Sequence, residues 1–352
     1  MLRVDQQQLL TMISNKLQRA GLTSPHAGAV AESLVHADKR GVHSHGALRT
    51  EYYVERLCKG GINTAPKFTI THDLPSVITF DGDNGAGHFV AREAMTRGIE
   101  IAQQQGICAV GIRRISHSGA LSFFVEQAAK AGMVALSLCQ SDPMVVPYGG
   151  AEPYYGTNPI AFAAPGEGDD YMMLDMATSV QAWGKILDAR LRHQPIPDDW
   201  AVDCKGNPTT DPTAVAGLNA ISGPKGYGLM MMVDVLAGML LGLPFGKHVS
   251  SMYQKMSEGR NLGQLHLIFD PSAFTDSNIF RANVSRSMAE LKASKPAQGV
   301  ERVLYPGEDC VLREKLAARQ GIAINEDVWQ YLNSDHLHAD RYETGNPFNG
   351  AE

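Results

Sequence analysis

Several familiar signatures are missing from this 352-residue chain, and each absence removes a class of answer. No GxGxxG follows a strand and opens a helix: Gly82, Gly85 and Gly87 cluster, but at the wrong spacing for a dinucleotide fingerprint. The GxxxxGKS/T phosphate loop is absent as well. The five cysteines, Cys58, Cys108, Cys139, Cys204 and Cys310, are odd in number and include no CxxC pair. That disfavours a disulfide framework and a thiolate zinc site, and it fits a reducing, cytoplasmic setting. Lys and Arg (31) are outnumbered by Asp and Glu (37) and are scattered, so neither nucleic acid nor an anionic membrane is expected as a partner. The most apolar stretch, Leu229 to Phe245, is interrupted by Asp234 and is short for a bilayer span, so it reads as a buried helix. Residues 1–20 carry Arg3, Asp5, Lys16 and Arg19 without an unbroken apolar run, and no signal peptide is expected.

What is present is ordinary globular composition, 44% apolar and 19% charged, with length enough for two or three domains. The first 60 residues read as helices. Asp5 and Gln8 resemble a capping box ahead of an apolar face of Leu9, Leu10, Ile13 and Leu17. Ser24-Pro25 opens a second helix, closed by Gly41, and a third is predicted from His45 to Lys59. From about Phe68 short apolar runs alternate with helical stretches. Strands are predicted at Val77–Phe80, Ile107–Arg113, Met133–Cys139, Ile160–Ala164, Met172–Met176 and Leu265–Phe269. Helices are predicted at Ala91–Gln104, Gly119–Ala131, Gly226–Leu241 and Ser277–Ala293, a βαβ-type order. The expected division is a helical part over 1–65 able to recruit a later segment, an α/β part over 66–340 and an extended arm over 341–352.

Four polar constellations could carry chemistry. Ser44-His45-Gly46 precedes Arg49 and Tyr53, which stand four and eight residues from His45; on one helix they would share a face. Such a stripe is either a solvated helix face with a serine cap or a clamp for a small carboxylate, with Arg supplying two parallel donors. His117, in Ser116-His117-Ser118-Gly119, stands between a strand and a helix start, whose positive end disfavours the imidazolium; it is a connecting-loop histidine or a base kept neutral. Ser141-Asp142 follows the next strand, at the same expected sheet edge, so Asp142 either orients His117, contacts a cofactor, or makes a turn before Pro143. Gly223-Pro224-Lys225-Gly226 opens the apolar helix as a glycine turn or a pyrophosphate site. His43 and His45 form HxH with no carboxylate or thiol close by in sequence, so no metal is expected.

Taken together, SHG at 44–46, SHSGA at 116–120, YGTNPIAF at 155–162, LDMATS at 174–179, GPKGYGL at 223–229 and YPGE at 305–308 resemble the malate/L-lactate/sulfolactate dehydrogenase family, distinct from Rossmann-type enzymes. The likeness runs through the whole chain. The resemblance implies an α/β fold with a mixed-sheet nicotinamide-binding domain and a smaller N-terminal helical domain. It implies a homodimer with the active site shared between subunits, and NAD-dependent oxidation of a small 2-hydroxy acid. It further implies roles for individual residues: His117 as proton acceptor, His45 as a proton donor in related reductases, and Ser44, Arg49 and Tyr53 as substrate contacts, with Arg260 reaching the substrate. Ser141, Asp175, Met176, Ala177, Lys225, Gly226, Tyr305, Pro306, Gly307 and Glu308 are implied as cofactor contacts. The alternatives are a relative acting on another 2-hydroxy or 2-keto acid, a ligand-binding protein that kept the fold, and a metal-dependent hydrolase.

Overall fold

The structure, a computed structural model, describes residues 2–342, so the arm expected over 341–352 lies almost wholly outside the described residues. The N-terminal segment runs through strand β1 (Leu2–Val4) and helices α1 (Gln6–Arg19), α2 (Ser24–Lys39) and α3 (Thr50–Cys58). Asp5 caps α1 by accepting from the Gln7 and Gln8 amides, as the sequence suggests. Leu9, Ile13 and Leu17 are fully buried there, on the stripe that a 3.6-residue period dictates. The third helix begins later than predicted. Two short 3-10 turns, His43–His45 and Ala47–Arg49, stand where a continuous helix was expected. The core of these helices also takes in Ile322, Ile324 and Leu332 from the far end of the chain, where β11 (Ile322–Ile324) pairs antiparallel with β1.

The centre is one seven-stranded sheet. Its strands are β2 (Thr69–Leu74), β3 (Val77–Asp81), β4 (Ile107–Ile115), β5 (Val134–Cys139), β6 (Ile160–Pro165), β7 (Tyr171–Met176) and β10 (Leu262–Phe269), ordered β2-β3-β4-β10-β5-β6-β7. Only β3 and β4 pair in parallel, joined through helix α4 (Gly87–Gln105). The other neighbours are antiparallel, so the sheet is mixed. Strand β10 lies between β4 and β5 and runs against both, which leaves β4 and β5 ending at the same edge. α4 and helix α5 (Ser122–Lys130) cover one face, burying Val90, Met95, Phe124 and Val125 against Val110 and Ile268. A two-stranded ribbon, β8 (Ala201–Val202) and β9 (Gly217–Leu218), packs with helix α6 (Trp183–Leu191) beside helix α7 (Pro224–Ala237).

Helix α7 covers the second face with Val233 and Ala237 against Leu138 and Leu265. The sequence predicts a buried helix here, and the single chain buries only one side of it. Leu229, Met231, Met232 and Val235 remain exposed, with Leu240 beyond them. Helices α8 (Ser277–Ala293), α9 (Glu308–Gln320) and α10 (Glu326–Asn333) complete the chain.

Candidate active site

The site forms where β4 and β5 end and β10 begins. His117 follows β4. Its ring is partly exposed, and its Nδ1 lies 2.6 Å from the Tyr53 hydroxyl and 3.3 Å from the Gly119 amide that donates to it. His45 stacks against it at 5.8 Å between ring centroids. Burial pushes His117 well below the usual imidazole range, and the cationic or ionisable neighbours His45, His88, Arg49 and Arg260 push the same way. A helix end, the cause expected from sequence, contributes less than burial: the helix starts only at Ser122, and desolvation is the larger cause. His45 is likewise held down to about 4 by burial and by Arg49. Both rings are therefore neutral at pH 7.

The loop bearing Ser44 and His45 is tied down by a group that no local pattern marks. The buried Asp38 accepts from the Ala47 amide at 2.6 Å and meets His43 Nδ1 at 2.8 Å. The absence of a carboxylate beside His43, inferred from sequence distance, is thus corrected by the fold. Gly46 lies so close to Asp38 that a Cβ there would stand 2.0 Å from its carboxylate oxygen, so only glycine permits the anchor. His43 is thereby held by Asp38, while Ser44 Oγ meets His45 Nδ1 at 3.0 Å. Arg49 donates through Nε to the Ser44 carbonyl at 2.7 Å and through Nη1 to Tyr253 at 3.2 Å. His45, Arg49 and Tyr53 do converge as expected, but by two tight turns ahead of α3 rather than along one helix face.

Asp142 does not meet His117, contrary to one of its expected roles. Its Oδ1 pairs with Arg260 Nη2 at 2.5 Å and its Oδ2 accepts from the Met252 amide. Arg260 is fully buried and bonded also to Ser250, close enough to His117 and Tyr53 to act on both electrostatically. The partner of His117 is Tyr53, whose ring packs edge-on against the buried His88 at 4.9 Å. His88 and Tyr253 were not singled out from the sequence; neither sits in a local pattern that marks it.

Several of the segments expected to hold a cofactor are joined by hydrogen bonds. Ser141 Oγ lies 3.1 Å from Thr157 Oγ1 and accepts from the Asn158 amide at 3.2 Å. Asn158 Nδ2 donates to the Met230 carbonyl on α7 at 3.1 Å. Thr178, next to Ala177, donates to the Thr157 and Asn158 carbonyls and accepts from the Ile221 amide just before α7. Gly226 is buried against Ile221, and Lys225 is exposed at the first turn of α7, whose amides have no side-chain cap. An uncapped helix start with a free cation suits a pyrophosphate. Asp175 accepts from the Ser122 amide at 2.7 Å, which ties β7 to the loop after His117. Gly307 packs on Met173 of β7, and Glu308 beside it is buried and paired with Lys292 at 3.1 Å. Among the described residues no group of three or more His, Cys, Asp or Glu could hold a metal ion, and no helix is long and apolar enough to cross a membrane.

The mixed seven-stranded sheet, with two histidines and an arginine gathered where β4 and β5 end, places the chain among non-Rossmann dehydrogenases. The chain belongs to the malate/L-lactate dehydrogenase family, whose model matches residues 4–333. It is 56% identical, over 99% of both chains, to ureidoglycolate dehydrogenase (NAD(+)) of Escherichia coli strain K12. It is 36% identical to malate dehydrogenase of Pyrococcus horikoshii over 94% of each. The solved sulfolactate dehydrogenase of Methanocaldococcus jannaschii superposes with a TM-score of 0.88 at 32% identity, covering 94% of this chain and 95% of that one.

Proposed function

We propose that this protein oxidises (S)-ureidoglycolate to oxalurate with NAD as hydride acceptor, a step of allantoin breakdown. The family likeness supports a nicotinamide dehydrogenase, and the 56% identity to a ureidoglycolate dehydrogenase supports the substrate and NAD. The observation that carries the chemistry is the shared cleft. His117, His45 and Arg49 face one another, with both imidazoles neutral by burial.

Arg49 holds the substrate carboxylate through its remaining donors, and Ser44 and His45 orient the hydroxyl. His117 takes the hydroxyl proton as the carbinol hydrogen leaves as hydride. Ser141, Asp175, Met176, Ala177, Lys225 and Gly226, with Tyr305 to Glu308 at the margin, hold NAD, which supplies the hydride-accepting ring. The buried core beneath these residues fixes their spacing, so the main contribution of the protein is positioning.

The active form is a homodimer in the cytoplasm. The exposed apolar side of α7 (Leu229, Met231, Met232, Val235) supports a second copy covering it, and five free thiols support a reducing compartment. Sedimentation analysis giving a fully active monomer would contradict the shared site. The decisive assay follows nicotinamide absorbance with (S)-ureidoglycolate, malate, lactate and sulfolactate, each with NAD and NADP. Ureidoglycolate with NAD should give the highest kcat/KM; a preference for malate or sulfolactate would assign this chain to those branches of the family.

A further inference from the structure

His117 has two neighbours at Nδ1, and they impose different demands. The Gly119 amide, 3.3 Å away, can only donate. It requires a lone pair on Nδ1, which places the single proton of the neutral ring on Nε2. Gly119 is itself fixed, with φ at +79° and its α-carbon facing His88 and Ser33. A ring protonated on Nε2 donates a hydrogen bond to a carbonyl oxygen but cannot take a proton from a hydroxyl. The base form needs the proton on Nδ1, pointing at a group able to accept it. Of the two neighbours only the Tyr53 hydroxyl, 2.6 Å away, has that capacity.

We propose that Tyr53 is a positioning residue that sets the ring tautomer of His117, donating to Nδ1 when Nε2 carries the proton and accepting from Nδ1 when Nε2 is the base. This goes beyond a substrate contact and rests on the reading of His117 as proton acceptor. The phenol keeps its own proton throughout, since burial raises its pKa. Its ring is 2% exposed and wedged edge-on against His88, so it cannot swing away. When the phenol accepts from Nδ1, its hydrogen needs a new acceptor, and a bound substrate oxygen supplies one. Substrate therefore favours the base tautomer. In the step itself the hydroxyl O–H bond breaks, its proton joins Nε2, the carbinol hydride passes to NAD, and the carbonyl forms. The imidazolium is left donating to Tyr53 from Nδ1.

The test is Tyr53→Phe in the full-length protein, with nitrogen-15-labelled histidine for NMR and His117→Asn to assign the signal. The expected result is that wild-type ring-nitrogen shifts report a mixture of tautomers, whereas Tyr53→Phe shows Nε2–H alone. With it, kcat should fall about ten- to a hundredfold, with KM changed by less than about threefold. Identical shifts in the two proteins would overturn the proposal, as would a raised KM at unchanged kcat. Turnover retained by His117→Asn is a separate outcome: it would remove His117 as the base, whatever Tyr53 does to its tautomer.

Discussion

Arg260 closes on Asp142 at 2.5 Å in a buried pair, and so takes from His117 the acidic partner that the βαβ order offered as one of its roles. The cause is the insertion of β10. Because β4 and β5 both run against it, β10 starts at the edge where they end, and Arg260, two residues ahead of Leu262, arrives beside Asp142. The Asp142 carboxylate is engaged there, and Tyr53 fills the place at His117 Nδ1 that a carboxylate takes in Ser-His-Asp hydrolases.

Breaking that pair on one side leaves the other charge buried. Asp142→Leu or Arg260→Met should each lower stability by about 3–5 kcal/mol, and the Asp142→Leu/Arg260→Met double variant by less than their sum. Urea titrations of the four proteins give the coupling; strict additivity would mean that the two side chains act independently.

Arg49→Lys keeps the charge and loses the planar fork. KM for the hydroxy acid should rise roughly ten- to a hundredfold with a smaller change in kcat, while KM for NAD stays near its starting value. If the hydroxy acid's KM does not move, its carboxylate binds elsewhere.

His117→Asn should lower kcat by about two to four powers of ten, the range of general base catalysis. The pH profile gives an independent check. Since the pKa of His117 lies well below 6.5, the neutral base is already present at pH 6, so kcat/KM should stay level there and fall only at clearly more acid pH. An acid limb centred near 6.5 would point to a solvated histidine instead.

Asp38 holds the Ser44–His45 loop from behind. Asp38→Ala leaves the Ala47 amide without its acceptor and should cost about 1–3 kcal/mol, with a larger loss of kcat/KM than of stability. Asp38→Asn retains an acceptor oxygen and should recover most of both. Equal activity in all three proteins would show that the loop does not need the anchor.

His88 and His266 are buried, with pKa values lowered to about 3 and about 4. The unfolded chain binds protons at these sites from pH 6.5 downward while the folded chain does not. Stability is therefore fully present above pH 6.5 and is lost as pH falls toward pH 4, by about 1.4 kcal/mol per pH unit for each ring. His88→Phe should reduce that slope by one ring's share in chemical denaturation between pH 6 and 4.5. An unchanged slope would mean that His88 is protonated in the fold.

The sequence by itself determined the local pieces. Apolar periodicity set α1 and α4, short β-branched and apolar runs set β3 to β7, and the SHG, SHSGA and GPKG segments marked the loops that line the cleft. These are properties of neighbouring residues, so a linear reading reaches them. Tertiary structure alone decided the rest. The order β4-β10-β5 depends on pairing between strands more than a hundred residues apart, and with it came the Arg260–Asp142 pair. His88 and Tyr253 act through contacts across the fold, where no spacing rule applies, and Asp38 acts through a loop whose turn only the folded chain defines. The neutrality of both active-site histidines is likewise a property of burial, which exists only once the chain has packed around them.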